Sequence, residues 1–598
     1  MAIAAPLAPV RAAEVLEVRL EGLVLPLNLG QLEGWARQPD HRSANEPLPD
    51  TDLLVWLNLL SPATQRDLRQ LLNTPLLRER SFGRQLLDSW AGRQVLEEAG
   101  QLLTRADGSR TTQLLNTTLR RLMERQREVT TMDLLRDLPE ERLSLQLDAV
   151  LLTASQWRQQ LALQSQALQS LHRLGLPVQR SDRALPRSSS DPGAPDELSR
   201  LNGRPVAWRP ASFRQDFWKV AAIEGQQLTL PVPHRPQPLP LAFWPAAAAE
   251  SASTSAPLRR PAAAATPGPT SGSLPSPPAS FPGSLSPRSA SSTALDLSSA
   301  SGARPWVLLL PGLGGDIDQL SWLARGLARR GWSVLALQHP GSDAAALRAA
   351  LEGQRPPPGG ESLALRLADI DAVLQAQRRG RLPAKGNGVV LMGHSLGAVT
   401  ALLTAGLMPE AGLEQRCRQA LERLPFTNPS RLLQCQLPAS IRNRGPSGPR
   451  ELRAVVGFNP FGSLLWPQRG LSGLAVPLLL GGGSLDLVTP PLEEQLGLFL
   501  RDPNPRSRLV LVQGGSHFSP IHVADGNTAL FRLGDDLVGV APAVVQELLL
   551  QLTSEFLSGL ASPEQPTPPP PQRRVRDGVT AFVLDPAFAQ RWRRVLPF

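Results

Sequence analysis

GNGVVLMGHSLGAVTALL, residues 386–403, contains an apolar run, a Gly-x-Ser-x-Gly pentapeptide centred on Ser395 and a second run of small and apolar residues. The chain has 48 glycines among 598 residues. Because such a pentapeptide can arise by chance in a glycine-rich chain, the pattern alone indicates little. Its structural context decides whether Ser395 is a candidate nucleophile.

Short apolar segments alternate with helical patterns from residue 305 onward. The segments read WVLLLP, WSVLALQHP, GVVLMGHS, RAVVGFNP, VPLLLGGGS and RLVLVQGGS. This alternation predicts an α/β fold, a mostly parallel sheet with helices on both faces. Ser395 is therefore predicted at a sharp strand-to-helix turn, where Gly393 and Gly397 leave room for the backbone. We expect Ser395 to be a nucleophile.

A serine hydroxyl is a weak nucleophile at neutral pH and needs a histidine base oriented by a carboxylate. In this kind of fold the chain order is Ser, acid, His. His517 follows a predicted strand and a Gly-Gly-Ser turn, and we predict that it is the base. His522 is the alternative, whereas His394 is expected to face away from the adjacent Ser395.

Asp486 follows the segment VPLLLGGGS and is the predicted carboxylate, with Asp502 and Glu493 as alternatives. The carboxyl ends of parallel strands meet at one edge of a sheet, where ligands bind. An oxyanion needs two backbone donors, and we expect the amides of Leu396 and Leu313 to supply them. The PGLGGD turn around Leu313 lacks the Lys-Ser/Thr ending of a phosphate-binding loop.

Composition excludes several classes of protein. The net charge is +10 and the pI is about 11.0. No nucleic-acid motif accompanies this charge, so no nucleic-acid partner is predicted. No apolar stretch approaches the length of a membrane-spanning helix. Cys417 and Cys435 do not match a metal-binding spacing; a short disulfide loop and two reduced thiols both stay open. No metal or cofactor is predicted.

The chain is predicted to fold as two units joined by a linker. The proposed segments are a possible signal-peptide remnant (1–13), a mainly helical N-terminal domain (14–178), a linker (179–204), the α/β domain (205–560) with a disordered Ser/Pro/Ala-rich insertion (247–303) and a cap-like insertion (408–450), and a C-terminal tail (561–598). The N-terminus lacks a basic region, so cytoplasmic and exported locations both stay open.

LLLPGLGGDIDQLSWLARGLARRGWSVLALQHPGS, GHSLGA, GGSLDLVTP and GGSHFSP together resemble the α/β-hydrolase superfamily, most closely its branch of platelet-activating-factor acetylhydrolases and dienelactone hydrolases. The segment before them resembles the N-terminal domain of unknown function in a group of cyanobacterial α/β-hydrolases. Two features depart from the branch: Pro311 stands where acetylhydrolases usually have His, and dienelactone hydrolases use Cys at the position of Ser395.

The resemblance implies hydrolysis of carboxylic esters, lipid esters among them. Acyl transfer and thioester cleavage could use the same three side chains. A non-catalytic interaction protein on a hydrolase fold is the alternative from another class. The expected partner is a small-molecule or lipid ester; protein partners and oligomeric state stay open.

Overall fold

The computed structural model describes residues 13–37, 53, 57, 61–73, 75–78, 87, 90–126, 128–180, 225–247, 304–351, 354–422, 425, 427–437, 441, 448–522, 542–561 and 568–596. The predicted signal-peptide remnant up to residue 12, the linker from residue 181 and the Ser/Pro/Ala-rich insertion from residue 248 lie outside the described residues.

The N-terminal unit contains short strands as well as helices. Its strands are β1 (Val15–Leu20), β2 (Leu23–Asn28), β3 (Pro75–Arg78), β4 (Leu103–Arg105), β5 (Glu128–Thr130) and β6 (Arg142–Gln146). Its helices are α1 (Leu29–Ala36), α2 (Pro62–Asn73), α3 (Trp90–Leu102), α4 (Thr112–Arg125) and α5 (Thr131–Asp137).

A four-stranded sheet in the order β2-β1-β6-β4 supports these helices, and β3 pairs with β5. The β1–β2 hairpin turns at Glu21 and Gly22, which have φ angles of 49° and 83°. The hairpin is formed by the strand-like segment VLEVRLEGLVLPL, but the prediction of a mainly helical domain did not include β4 and β6. Apart from the hairpin, its strands are only three to five residues long, too short for a clear alternating pattern.

One long helix, α6 (Leu147–Arg173), connects the two units. Leu147 at its start packs against the core of the N-terminal unit. Leu168 and Leu171 near its end are buried in the core of the large sheet. The predicted domain boundary at residue 178 therefore lies beyond the point where the chain joins the second core.

The second unit is built on an eleven-stranded sheet. Its strands are β7 (Val178–Arg180), β8 (Gln226–Leu230), β9 (Leu239–Trp244), β10 (Trp306–Leu310), β11 (Val334–Leu337), β12 (Val389–His394), β13 (Leu452–Phe458), β14 (Leu478–Gly483), β15 (Arg508–Val512), β16 (Gln572–Arg576) and β17 (Val579–Leu584). Its helices are α7 (Ser321–Arg329), α8 (Ala344–Leu351), α9 (Leu363–Arg378), α10 (Leu396–Thr404), α11 (Leu413–Ala420), α12 (Ser430–Cys435), α13 (Gly497–Phe499), α14 (Pro542–Ala561) and α15 (Pro586–Val595), with a π-helical turn at Leu492–Leu496.

The strand order is β7-β16-β17-β15-β14-β13-β12-β10-β11-β9-β8, and the six strands from β15 to β11 are mutually parallel. These six strands are the six apolar segments recognised in the sequence. From β10 the chain moves outward to β11 and then crosses back to β12 on the other side of β10. Such a switch in strand order opens a crevice at the carboxyl ends of β10 and β12.

Alternating residues of each strand enter two different cores. Leu308 and Leu391 pack with α9 and α10 on one face, whereas Leu309 and Met392 pack with α7 and α14 on the other. Both faces of the sheet are thus covered by helices, as the sequence predicts for parallel strands that read as continuous apolar runs.

In the segment predicted as a C-terminal tail (561–598), two strands extend the large sheet and one helix follows them. β17 pairs antiparallel with β15, and β16 continues from β17 to the short strand β7. The indole of Trp592 on α15 is buried and donates to Ser170 Oγ on α6 at 2.8 Å. Pairing with β15 is a long-range event that the local pattern does not reveal.

The segment predicted as a cap-like insertion carries α11 and α12, which are joined by a disulfide between Cys417 and Cys435. The carboxylate of the buried Glu494 accepts hydrogen bonds from Asn428 and Gln434 of this segment, at 2.7 and 3.1 Å. These hydrogen bonds attach the segment to the π-helical turn that follows β14. In the described part of the chain, no helix is both long and apolar enough to cross a membrane.

Candidate active site

Ser395 occupies the turn between β12 and α10 with φ 51° and ψ −123°, a strained conformation for a residue with a side chain. The neighbouring glycines make this turn possible. A Cβ on Gly393 would lie 2.3 Å from the carbonyl carbon of Gly397, and a Cβ on Gly397 would lie 2.2 Å from the carbonyl oxygen of Leu310. The pentapeptide glycines therefore allow α10 to pack directly against β12 and the end of β10.

The imidazole of His517 lies between Ser395 and Asp486. Its Nε2 is 3.0 Å from Ser395 Oγ, and its Nδ1 is 3.0 Å from Asp486 Oδ2. The three side chains are 6%, 5% and 0% exposed in the order Ser395, His517 and Asp486. The structure thus brings together the three residues that the sequence predicted, in a chain of two hydrogen bonds.

Asp486 is held by four donors in addition to His517. Oδ1 accepts from the amides of Val488 (2.8 Å) and Thr489 (2.7 Å), and Oδ2 accepts from Asn459 Nδ2 (2.6 Å) and Thr489 Oγ1 (2.5 Å). Burial by itself raises the pKa of Asp486, but the charge and hydrogen bond of His517 and the bonds from Thr489 together lower that pKa below its usual value. The carboxylate is therefore ionised and fixed in direction.

Sequence reasoning did not identify Asn459 or Thr489. Asn459 follows β13 at the same edge of the sheet and has a φ of 50°. The sequence contained a signal for it, since a polar residue directly after a buried strand lies at the ligand edge. Thr489 lies three residues after Asp486, where a side chain can contact the same loop.

In the described part of the chain, neither His522, the alternative base, nor His394 is hydrogen-bonded to Ser395. His522 is exposed, and its backbone amide donates to the carbonyl oxygen of Gln319 at 2.9 Å. The Nε2–H of His394 donates to the carbonyl oxygen of His517 at 2.8 Å. Burial, with the nearby charge of His517, lowers the pKa of His394 to about 3, so this imidazole is neutral at physiological pH.

The alternative carboxylates also have other roles. Glu493 accepts from Asn428 Nδ2 at 2.8 Å and pairs with Arg431 at 3.2 Å. Asp502 is buried and accepts from the amide of Asn504 at 2.8 Å, and burial raises its pKa. Within the described ranges, neither carboxylate is hydrogen-bonded to a histidine.

The predicted oxyanion donors are the backbone amides of Leu396 and Leu313. Leu396 is the first residue of α10, so its N–H has no acceptor within the helix. The PGLGGD turn lies beside Ser395, since a Cβ on Gly312 would be 3.4 Å from Ser395 Cβ. Neither the Leu396 nor the Leu313 amide donates to any residue that the structure describes. Leu396 directly follows Ser395, and Leu313 directly follows Gly312, the residue that packs against Ser395.

Among the described residues, no group of three or more His, Cys, Asp or Glu side chains is arranged to hold a metal ion.

Comparison with known families finds one family model that matches part of the chain. Residues 12–146 match a family model, DUF1400, which is described as an alpha/beta hydrolase of unknown function. The matched residues cover the N-terminal unit and end just before α6, so the large sheet lies outside the match. No curated protein is significantly similar to the chain. The family match supports the α/β-hydrolase superfamily for this protein and does not favour any one branch of it.

Proposed function

We propose that the protein is a serine hydrolase that cleaves carboxylic esters. In this proposal Ser395 attacks the acyl carbon, and His517 accepts the proton of the serine hydroxyl. Asp486 orients the imidazole and stabilises its charged form. The amides of Leu313 and Leu396 bind the oxyanion of the tetrahedral intermediate.

The observation that carries the proposal is the pair of 3.0 Å contacts from His517, one from Nε2 to Ser395 Oγ and one from Nδ1 to Asp486 Oδ2. Because a carboxylate only accepts, His517 must donate from Nδ1, which leaves Nε2 as the acceptor for the serine proton. A strained nucleophile turn beside an oriented base is expected of covalent catalysis.

The reaction then proceeds in two steps. The serine oxygen bonds to the acyl carbon, and His517 returns the proton to the leaving alcohol as the ester bond breaks. In the second step His517 takes a proton from water, the resulting hydroxide attacks the acyl-enzyme, and the proton returns to Ser395 as the acid departs. His517 acts as base and acid in turn, and the enzyme ends unchanged.

We extend the proposal to esters with apolar groups, lipid esters among them. Leu485, directly before Asp486, has a side chain that is 40% exposed. Leu313 on the oxyanion turn is only partly buried against the core. Apolar side chains on the loops around a reactive serine favour an acyl or alkyl chain over a charged substrate. Rates measured on esters of increasing acyl length test this extension.

Labelling with a fluorophosphonate, followed by mass spectrometry, tests the nucleophile. A single adduct on Ser395 is expected, and Ser395→Ala should lower ester turnover about 10⁵- to 10⁶-fold. Ser333→Ala is the matched control, because Ser333 is also buried but precedes β11 at the opposite edge of the sheet. Ester cleavage that persists in Ser395→Ala refutes the proposal. The absence of an adduct on folded protein favours a non-catalytic interaction protein.

The base is tested by a pair of histidine variants. His517→Ala should abolish labelling of Ser395, whereas His522→Ala should leave it intact. Product analysis with an added alcohol then separates hydrolysis from acyl transfer, and a thioester substrate tests thioesterase activity.

A further inference from the structure

Arg366, near the start of α9, is an arginine with a fully buried side chain directly behind the PGLGGD turn. Its Nη2 donates to the carbonyl oxygen of Pro311. Its Nη1 donates to Ser342 Oγ at 2.8 Å and lies 3.4 Å from the carbonyl oxygen of Gly312. One guanidinium therefore contacts two successive carbonyls immediately before Leu313.

These contacts determine which way the Leu313 amide points. The Gly312 carbonyl and the Leu313 N–H belong to the same peptide group, which is planar and trans, so they point in opposite directions. A guanidinium that attracts the carbonyl to one side turns the N–H to the other side. Gly312 is also the residue of this turn that lies against Ser395.

A second hydrogen bond holds the PGLGGD turn after Leu313. The amide of Gly314 donates to the carbonyl oxygen of Ser342 at 2.8 Å, and Ser342 Oγ accepts from Arg366. The peptide groups before and after Leu313 are thus both anchored. The N–H of the first of these two groups, that of Leu313, donates to no described residue.

A buried guanidinium needs a compensating charge. Asp369, one turn further along α9, is fully buried and accepts two hydrogen bonds from Arg235, at 2.8 and 2.6 Å, and others from His234 (2.8 Å) and His339 (2.9 Å). Burial lowers the pKa of Arg366 to about 9, while the charge of Asp369 acts in the opposite direction, so the guanidinium is protonated at neutral pH. The arrangement keeps a positive charge behind the turn.

We propose that Arg366 is a positioning residue for the oxyanion site: it holds the Gly312–Leu313 peptide so that the Leu313 N–H is directed at the developing oxyanion. The inference rests on the proposed function, because it concerns the donor that the proposed mechanism uses. The positive charge on the carbonyl side also polarises the peptide group, which strengthens its N–H as a donor. Because the oxyanion develops only in the transition state, loss of this positioning should lower kcat and leave KM nearly unchanged.

Two substitutions of Arg366 test the role. Arg366→Lys keeps the charge, but its single ammonium cannot bind both carbonyls and the Ser342 hydroxyl in the same geometry. Arg366→Gln removes the charge. Loss of a whole oxyanion donor costs about 10²- to 10³-fold in kcat. A misdirected donor should cost no more than this, and we expect a loss in kcat of about 10-fold for Lys and about 100-fold for Gln, with KM within about threefold of wild type.

The matched control is Arg508→Lys. Arg508 is also buried and binds backbone carbonyls, those of Pro505, Ser507, Pro568 and Pro569, but it lies at the start of β15, away from the site edge. Its substitution should lower the melting temperature while kcat stays near the wild-type value. The second readout is inhibition by an alkyl trifluoromethyl ketone, whose serine adduct carries an oxyanion. Its affinity should fall by the same factor as kcat in the Arg366 variants and not in Arg508→Lys.

The results separate the two proposals. Wild-type turnover that survives Ser395→Ala refutes the proposed function. Turnover that depends on Ser395, together with unchanged kcat or unchanged ketone affinity in folded Arg366 variants, refutes only the positioning role. If neither Arg366 variant folds, Ser342→Ala removes one anchor of the guanidinium. It should lower kcat about threefold to tenfold at constant KM, and a wild-type kcat overturns the inference.

Discussion

Lowering the pH from 7 to 5 is expected to destabilise the protein through the buried imidazole of His394. The side chain is 3% exposed, and burial together with the charge of His517 lowers its pKa to about 3. In the unfolded chain a histidine titrates near pH 6.5. Between these values the unfolded state binds a proton that the folded state excludes, so the free energy of unfolding falls as the pH falls through this window.

The size of the effect follows from the same two values. For one group that titrates at about 6.5 when unfolded and stays neutral when folded, the free energy of unfolding decreases by about 2 kcal/mol between pH 7 and pH 5. His339 is also buried, and burial, with the charge of Arg366, lowers its pKa to about 3. Together the two histidines should lower the free energy of unfolding by about 4 kcal/mol between pH 7 and pH 5.

The substitution His394→Gln isolates the contribution of His394 to this pH-dependent loss of stability. The carboxamide can still donate toward the His517 carbonyl, and it does not titrate. Urea unfolding, followed by tryptophan fluorescence at pH 7 and pH 5, should show a loss about 2 kcal/mol smaller in His394→Gln than in wild type. His522→Gln, at an exposed position, should retain the wild-type pH dependence. An equal loss in His394→Gln and wild type would refute the reasoning.

Three further outcomes are expected. Asp486→Asn should lower kcat about 10⁴-fold, because the amide no longer orients the imidazole correctly. Asp502→Asn is the control at another buried carboxylate. Equal losses of kcat in the two variants, measured by steady-state kinetics, would contradict the assignment of Asp486. Gly397→Ala would place a Cβ 2.2 Å from the carbonyl oxygen of Leu310 at the end of β10. Calorimetry should therefore show a destabilisation of about 1–3 kcal/mol, and activity assays should show a loss of turnover. An unchanged melting temperature would show that the turn can relax. Reduction of the Cys417–Cys435 disulfide should lower the free energy of unfolding by about 3 kcal/mol by the chain-entropy model. It should also make residues 408–450 more susceptible to limited proteolysis. An unchanged rate of proteolysis would show that Glu494 holds the segment without the disulfide.

The central strands and three side chains of the site could be predicted from the sequence because they depend on local pattern and on one rule of topology. Each strand is a continuous apolar run, and the carboxyl ends of parallel strands meet at one edge. A reactive residue in the turn that follows such a run is therefore brought to the same edge. Ser395, Asp486 and His517 lie one, three and five residues beyond the ends of their strands.

The supporting residues could not be predicted in the same way. Arg366 lies on a helix where an arginine usually faces solvent, and its burial depends on carbonyls about 55 residues earlier in the chain. The strand QRRVR at Gln572–Arg576 has too many charges to resemble a strand that extends a sheet core. Its place depends on pairing with β17, and β17 in turn depends on β15. Long-range contacts of this kind leave no periodic signal in the segment itself.

The position of β17 has a consequence for the order of events during synthesis. β15, with the sequence RLVLV, is an inner strand of the finished sheet but lies at its edge until residues 579–584 have left the ribosome. At a synthesis rate of about 5–20 residues per second, this interval lasts from about 4 to about 14 seconds. An exposed apolar edge strand is a template for pairing with another chain. A protein shortened before residue 579 keeps the residues of the proposed reaction and leaves this edge open permanently, so such fragments should aggregate rather than yield a minimal enzyme.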